Sequence, residues 1–326
     1  MMRVGYQELC DALLRALSTT PLDAECAALC ARIVADTTRD GIYSHGLHMF
    51  PRLIKMMRSG VVDTTSRPVR TAGLGALERW DGRCGVGALN AHACMEAAIG
   101  LARTHGIGCV ALANTNHWMR GGTYGWQAAD AGVVGICWTN TLPNLPPWGA
   151  DEPRIGNNPL VVAVPRPASG AHVVLDMAMS QFSYGALASY RRRQELLPVV
   201  GGFDRNGELT RDPAAIEQSR RPLPIGFWKG SGLAIVLDAI AALLANGRAT
   251  HEIPVHPEQE TGLSQVFMAI EADSAAGAGN AGRIADAVVE HLGARYPGER
   301  TLETRQRNLA KGIPVETSDW EWLTRL

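Results

Sequence analysis

Three stretches of the chain carry side chains that could do chemistry. In Ser44-His45-Gly46-Leu47-His48, an imidazole follows a hydroxyl and precedes a glycine, just after Asp40-Gly41. A histidine near its ordinary pKa gives a proton to a developing alkoxide at neutral pH and takes it back in the reverse direction. Two other readings stand beside this one: a histidine that caps the preceding helix, and a metal pair with His48 at i, i+3 spacing. The glycine between them and the lack of a neighbouring carboxylate weaken the metal reading. The second stretch, Asn114 to Asn140, places Asn116, His117 and Arg120 beside Gly121-Gly122 and between two apolar runs. Loops that leave a buried strand with such donors are where rigid scaffolds carry function, although Trp118, Tyr124 and Trp126 could equally close a core. In the third, Asp176 interrupts the apolar run VVLDMAMS, as a buried hydrogen-bonding post or as a ligand contact.

Further along, Gly226 to Gly232 (GFWKGSG) sets Lys229 before a long apolar segment, so the amides of Gly230 to Gly232 would make a phosphate seat at a helix start. Gly277 to Gly282 (GAGNAG) follows a strand pattern and precedes a helix pattern, as a dinucleotide fingerprint does. Its first glycine stands too far from the strand for a tight turn, and a polar helical stretch follows where a second parallel strand would be needed, so a surface loop is the better reading. Arg191 to Arg193 reads as a solvated helix face. Neither GxxxxGK[ST] nor GxSxG occurs.

Apolar spacing predicts helices over residues 5–18 and 23–38, an α-hairpin punctuated by Thr20, Pro21 and Asp23, and a third helix from Phe50 to Ser59. Residues 60–80 turn extended and end in the strand ALERW. A helix with Asn90 as N-cap then runs to Gly106 and feeds the strand IGCVALAN. LVVAVPR and HVVLDMAMS, joined by a short turn at Ala168 to Gly170, read as an antiparallel hairpin. Residues 181–195 are helical, GGFDRNGELT is a hairpin around Asn206-Gly207, and 230–246 is apolar nearly all round, which predicts a central buried helix. The strand SQVFMAIEAD and helices over 281–296, 301–311 and 318–325 complete the chain.

At 326 residues the chain is long for one core, and two or three lobes are expected. A net charge of −1 presents no basic field for nucleic acid or an anionic membrane, and no apolar run reads as a membrane span. Seven cysteines without a CxxC pair, and an N-terminus broken by charge and lacking a cleavage pattern, read as reduced thiols in the cytoplasm.

GIYSHG (41–46), FPRLI (50–54), NHWMRGGTYGWQAA (116–129), GICWTN (135–140), PPWGA (146–150), RIGNNPL (154–160), LDMAMSQFSYG (175–185), LPVVGGFD (197–204) and GFWKGSG (226–232) together resemble the malate/L-lactate dehydrogenase type 2 family, also called L-sulfolactate dehydrogenase-like. The likeness covers nearly the whole chain. It implies an α/β, non-Rossmann fold: a central mixed or antiparallel sheet domain (73–280) flanked by a helical lobe built from both chain ends (1–72 and 281–326). It further implies an oxidoreductase using NAD(H) or NADP(H), with NADH favoured, a homodimer with the cofactor near the subunit interface, and no metal.

By matching positions, the resemblance makes His45 the proton donor and sets His117 beside the substrate. Cofactor contacts fall on Ser44, on the run His172, Val173, Val174, Leu175, Asp176, Met177 and Ala178, on Trp228 and Lys229, and on Gly298, Glu299 and Arg300. The family's usual SHGxxR ends here in Met49, which leaves Arg52 or Arg120 to hold a substrate carboxylate. The implied reaction is reversible reduction of a 2-oxo or 2,3-dioxo sugar acid. Malate-, lactate- or ureidoglycolate-type hydroxy acids and cyclic imino acids are the alternative substrates. A nicotinamide-binding protein without turnover is the non-enzymatic alternative.

Overall fold

The computed structural model of the chain describes residues 2–273 and 279–326. Leu9, Leu13 and Leu17 recur at helical spacing and are fully buried on α1 (Tyr6–Leu17); Ala27, Cys30 and Val34 do the same on α2 (Ala24–Arg39). The predicted α-hairpin therefore closes on its own apolar seam. Asp23 caps α2 by accepting from the Cys26 amide at 2.8 Å. The third helix, α3 (Phe50–Arg58), adds Phe50, Leu53 and Ile54 to the same core.

The sheet combines β2 (Val69–Leu74), β3 (Leu77–Asp81), β4 (Ile107–Asn116), β5 (Val134–Thr139), β6 (Leu160–Val164), β7 (Val173–Met177) and β10 (Thr261–Ile270); β8 (Gly202–Phe203) and β9 (Leu209–Thr210) form the small separate hairpin expected around Asn206-Gly207. Its order is β2-β3-β4-β10-β5-β6-β7, antiparallel at every step except β3–β4. That one parallel pair needs a crossover, which α4 (Gly87–His105) supplies. A largely antiparallel sheet has no row of strand ends facing one crevice, so this is not a Rossmann fold. On one face, α4 and α5 (Gly122–Asp130) bury Met95, Trp118, Tyr124 and Phe267. On the other, α8 (Trp228–Ala245) packs over Trp138, Leu145 and Met179. Between them in sequence lie α6 (Tyr184–Arg192) and α7 (Pro213–Ser219).

Several local expectations change. Asn90 lies inside α4, not at its cap: the helix starts at Gly87, and the Asn90 amide donates to Gly82 O and Thr115 Oγ1. It ties the 81–85 turn to β4, a partnership between segments that local spacing cannot reveal. The apolar helix α8 is not central. Ala234, Leu237, Ala241 and Ala245 form a narrow buried stripe on the sheet, while Leu233, Val236, Ile240 and Leu243 lie exposed on its outer side. By length and hydropathy α8 could cross a membrane. Its Asp238, however, accepts from Asn140 and the Thr250 amide, and its Leu237 carbonyl accepts from Trp138, so it is bonded to the sheet domain along its length.

Most of the C-terminal segment joins the helical lobe, and its first helix does not. α9 (Asn280–His291) stays with the sheet, held by Asp286 on Arg166 at 2.5 Å and by Gly282 against Pro167. The contacts to the helical lobe come from α10 (Glu299–Lys311), β11 (Ile313–Val315) and α11 (Thr317–Thr324): Asn308 donates to Arg39 O, β11 pairs with β1 (Met2–Val4), and Trp322 meets Phe50 edge-on. Of the glycine run, residues 277–278 lie outside the described residues; Gly279 stands at the N-cap of α9.

Candidate active site

Gly41, at φ +84, turns the chain away from the end of α2, and a short 3-10 turn over Tyr43–His45 carries the imidazole off the helix. Ser44 Oγ lies 2.9 Å from His45 Nδ1. A hydroxyl can donate to the neutral ring or accept from the charged one, so Ser44 serves both protonation states and leaves Nε2 for other work. The start of α6 presses on this turn: a Cβ at Gly185 would come within 2.6 Å of the Ser44 Cβ. His117 is fixed from its own loop, where Met119 adopts φ +65 so that its amide donates to His117 Nδ1 at 3.1 Å. An accepting Nδ1 places the proton of the neutral ring on Nε2. A bulky residue in the left-handed region is strained, and here the strain holds a polar ring in place. The His45 and His117 rings stack with centroids 5.8 Å apart and planes 17° off parallel.

Both rings line a cavity of about 730 Å³, a volume suited to a small-molecule ligand. Its walls come from the 38–48 segment, the 117–121 loop, Thr139, Thr141, Asn157, Asp176, Ala178, the inner side of α6, Pro314 to Glu316, and Asp319. Asp176, expected as either a post or a ligand contact, borders the cavity while accepting from the Gly122 amide at the start of α5 at 2.8 Å. Arg120 also lines the cavity, but its Nη1 donates to Asp40 at 2.8 Å and its Nε lies 4.0 Å from Asp176.

Asp40 receives three guanidinium groups: Arg39, Arg120 and Arg305, the last through two bonds of 2.8 Å. Burial would raise its pKa, yet the Arg305 hydrogen bonds and the charges of Arg120, Arg305 and Arg39 together hold it below its ordinary 3.8. The histidines move down as well. Burial is the main cause at His45; Asp176 opposes it, and Arg120 and Arg52 reinforce it. Burial pushes His117 well below 6.5, aided by the charges of His45 and Arg52.

Of the cofactor positions implied by the resemblance, Val173 to Met177 form β7 and Gly298 packs against its outer edge at His172 O and Val174 N. β7 is the last strand of the sheet, so alternate residues turn backbone groups outward. The Val174 amide is taken by Pro297 O at 2.9 Å, next to Gly298, which caps α10. Asp176 and Ala178 reach the cavity. Beyond the strand, Ser180 bridges to Pro224, and the chain runs on to Trp228 and Lys229. Among the described residues, Trp228, Lys229, Glu299 and Arg300 do not line the cavity. His172 sits at the start of β7 as a buried pin, its Nδ1 accepting from the Arg166 amide and its Nε2 3.0 Å from Asp130.

Three expectations are corrected. The phosphate seat before α8 is closed, because Phe227 at φ +60 folds the chain back and the amides of Gly230 and Ser231 donate to Ile225 O and Phe227 O. Arg52 does not line the cavity: it lies behind His117 and bonds Glu260 at 2.9 Å and Pro257 O. The Asn116 amide is spent on Cys84 O and Gly85 O.

Other residues at the site escaped the sequence reading. Asp40 and Arg305 act from opposite ends of the chain, and His48 meets Asp319 of α11 at 3.1 Å on the cavity wall. Arg192 and Arg193, read as a solvated face, also border the cavity. The recurrence of Gly185, Ala188, Ser189 and Arg192 at i, i+3, i+4 and i+7 was a usable signal for that wall.

A family model described as malate/L-lactate dehydrogenase matches residues 4–324. The chain is 46% identical to 2,3-diketo-L-gulonate reductase of Citrobacter koseri, with 98% of each chain covered, and equally to the enzyme of that name from Salmonella paratyphi A. In three dimensions it matches delta1-piperideine-2-carboxylate reductase from Pseudomonas syringae pvar. tomato with a TM-score of 0.90 at 31% identity, covering 100% of this chain and 99% of that one. Sulfolactate dehydrogenase from Methanocaldococcus jannaschii matches with a TM-score of 0.90 at 25% identity, covering 99% and 96%. The largely antiparallel sheet and the histidine-lined cavity thus sit on a scaffold shared by dehydrogenases and reductases, and the chain belongs to the malate/L-lactate dehydrogenase family as an oxidoreductase working with a nicotinamide cofactor.

Proposed function

We propose that the protein reduces the 2-oxo group of a 2,3-dioxo sugar acid, converting 2,3-diketo-L-gulonate to 3-dehydro-L-gulonate, with His45 as the proton donor. The observation that carries this reading is the His45 ring, backed by Ser44 and stacked on His117 in the cavity that Asp176 and Ala178 at the end of β7 also border. The substrate name comes from the relatives at 46% identity. When bound, the nicotinamide cofactor would supply the hydride, and Ser44, His172 to Ala178, Trp228, Lys229 and Gly298 to Arg300 would hold it. His45 Nε2 gives its proton to the oxygen as carbon takes the hydride, and the neutral ring is then recharged from solvent. His117, with Nε2–H as its donor, orients the second oxygen of the dioxo group. NADH is the expected form of the cofactor, as the resemblance implies.

A screen of NADH and NADPH oxidation over 2-oxo acids, 2,3-dioxo acids and cyclic imines tests this. The highest kcat/KM is expected for NADH with the dioxo acid. A clear preference for an imine would overturn the proposal in favour of the reading suggested by the piperideine-carboxylate reductase likeness.

The active form is proposed to be a homodimer joined through α8. Val236 is 51% exposed and Leu243 73%, and with Leu233 and Ile240 they make an apolar stripe on one helix face. Full burial of such a side chain from water is worth about 1.5–3 kcal/mol, and covering the exposed part of each of these contributes a share of that. The variant Val236→Glu/Leu243→Glu is expected to sediment as a monomer, whereas the native chain sediments at twice that mass.

A further inference from the structure

The basic side chains that line the cavity are His45, His48, His117, Arg120, Arg192 and Arg193. Most already have their charge answered. Arg120 is bonded to Asp40 at 2.8 Å and lies 4.0 Å from Asp176. Arg193 pairs with Glu195 at 2.9 Å, donates to Ser189 Oγ at 3.0 Å, and stacks on Tyr190. His48 meets Asp319, and burial favours the neutral forms of His45 and His117. Arg192 is exposed at the end of α6 and, among the described residues, makes no ion pair or side-chain hydrogen bond.

The wall leading to Arg192 is shaped to let it reach inward. Gly185, packed on Ser44, is followed one and two turns later by Ala188 and Arg192 on the same helix face. Arg192 therefore stands roughly 10 Å further along the helix than the Ser44 contact. Side chains on a helix lean toward its N-terminus, so the arginine arm has room to lie back over the small residues Ala188 and Gly185, into the cavity that it borders.

We infer that Arg192 is the cation that binds the carboxylate of the substrate and so makes the site specific for oxo acids. This rests on the proposed reaction. A guanidinium holds a carboxylate through two parallel hydrogen bonds, which an amide or a neutral ketone cannot match. Arg52 and Arg120 are the candidates by sequence, but the first is bonded outside the cavity and the second has its Nη1 on Asp40, which it shares with Arg39 and Arg305.

Arg192→Gln and Arg192→Lys test the inference with three readouts: KM for the oxo acid, KM for its primary amide, and NADH affinity by fluorescence quenching. Loss of a charged hydrogen bond of this kind changes binding by about 10–100-fold. Arg192→Gln is expected to raise KM for the acid by that factor, leave KM for the amide unchanged and leave NADH affinity within about twofold, with Arg192→Lys in between. An unchanged KM for the acid would overturn the inference. So would weaker NADH binding with an unchanged KM, which would assign the arginine to a cofactor phosphate instead. If the native enzyme turns over imines and no oxo acid, the proposed reaction fails while the acid-against-amide comparison on the imine still judges Arg192. If it turns over neither, both fail.

Discussion

Replacing His45 by alanine is expected to lower kcat by about 10²–10⁴-fold, the usual contribution of a positioned acid or base. NADH affinity should stay within about twofold, because the role proposed for the imidazole is to protonate the substrate and not to hold the cofactor. Ser44→Ala should cost less, since it removes the hydroxyl that steadies Nδ1 but leaves the proton on the ring. Equal losses for the two variants would mean that His45 holds structure and does not deliver the proton.

The same assignment fixes a pH profile. His45 has its pKa lowered from 6.5, chiefly by burial, so the charged donor becomes scarcer as pH rises through that lowered value. Reduction should therefore fall by about tenfold per pH unit on the alkaline side, and oxidation should show the opposite trend. Stability follows the other sign. The unfolded chain binds a proton at each of these histidines near pH 6.5 while the folded rings resist it. Their neutral burial costs nothing above about pH 6.5, and stability is lost as pH falls below it toward the lowered folded values. Denaturant midpoints at successive pH values would show this. His117→Asn should flatten the curve, and an unchanged curve would remove His117 from the explanation.

Asp40→Ala is expected to destabilise the protein by about 3–5 kcal/mol, because it leaves Arg39, Arg120 and Arg305 facing one another without their shared anion. Asp40 is 3% exposed, so water cannot take over the carboxylate's part. The double variant Asp40→Ala/Arg305→Met should recover part of that loss by removing one uncompensated charge. Activity should suffer beyond stability, since Asp40 fixes Arg120, whose loop also carries His117. A loss below 1 kcal/mol would show the cluster to be solvated and of little consequence. The Asp40 carboxyl, held below 3.8, contributes stability that is present above that pH and lost as pH falls through its lower folded value.

Local pattern was enough for much of the chain. The leucine spacing of α1, the short turn between β6 and β7, and Gly106 after α4 each depend on residues a few positions apart. The Ser44-His45-Gly46 turn was legible for the same reason: a helix stop, a hydroxyl and an imidazole are all local. The motifs from 41–46 to 226–232 identified the family because many short matches in one order are collectively specific.

Tertiary structure decided what depends on partners remote in sequence. Arg305 meets Asp40 across 265 positions and Arg120 across 80, and no periodicity records such a pair. The amides before α8 looked free until the Phe227 turn supplied their acceptors, and α8 looked central until the sheet proved to cover only one of its faces. By sequence Arg52 and Arg120 are the candidates for the carboxylate, and Arg192 reads as part of a solvated helix face. Which of them remains available to a substrate depends on where the carboxylates Glu260, Asp40 and Asp176 come to rest, because a cation's free charge is set by its folded neighbours and not by its place in the sequence.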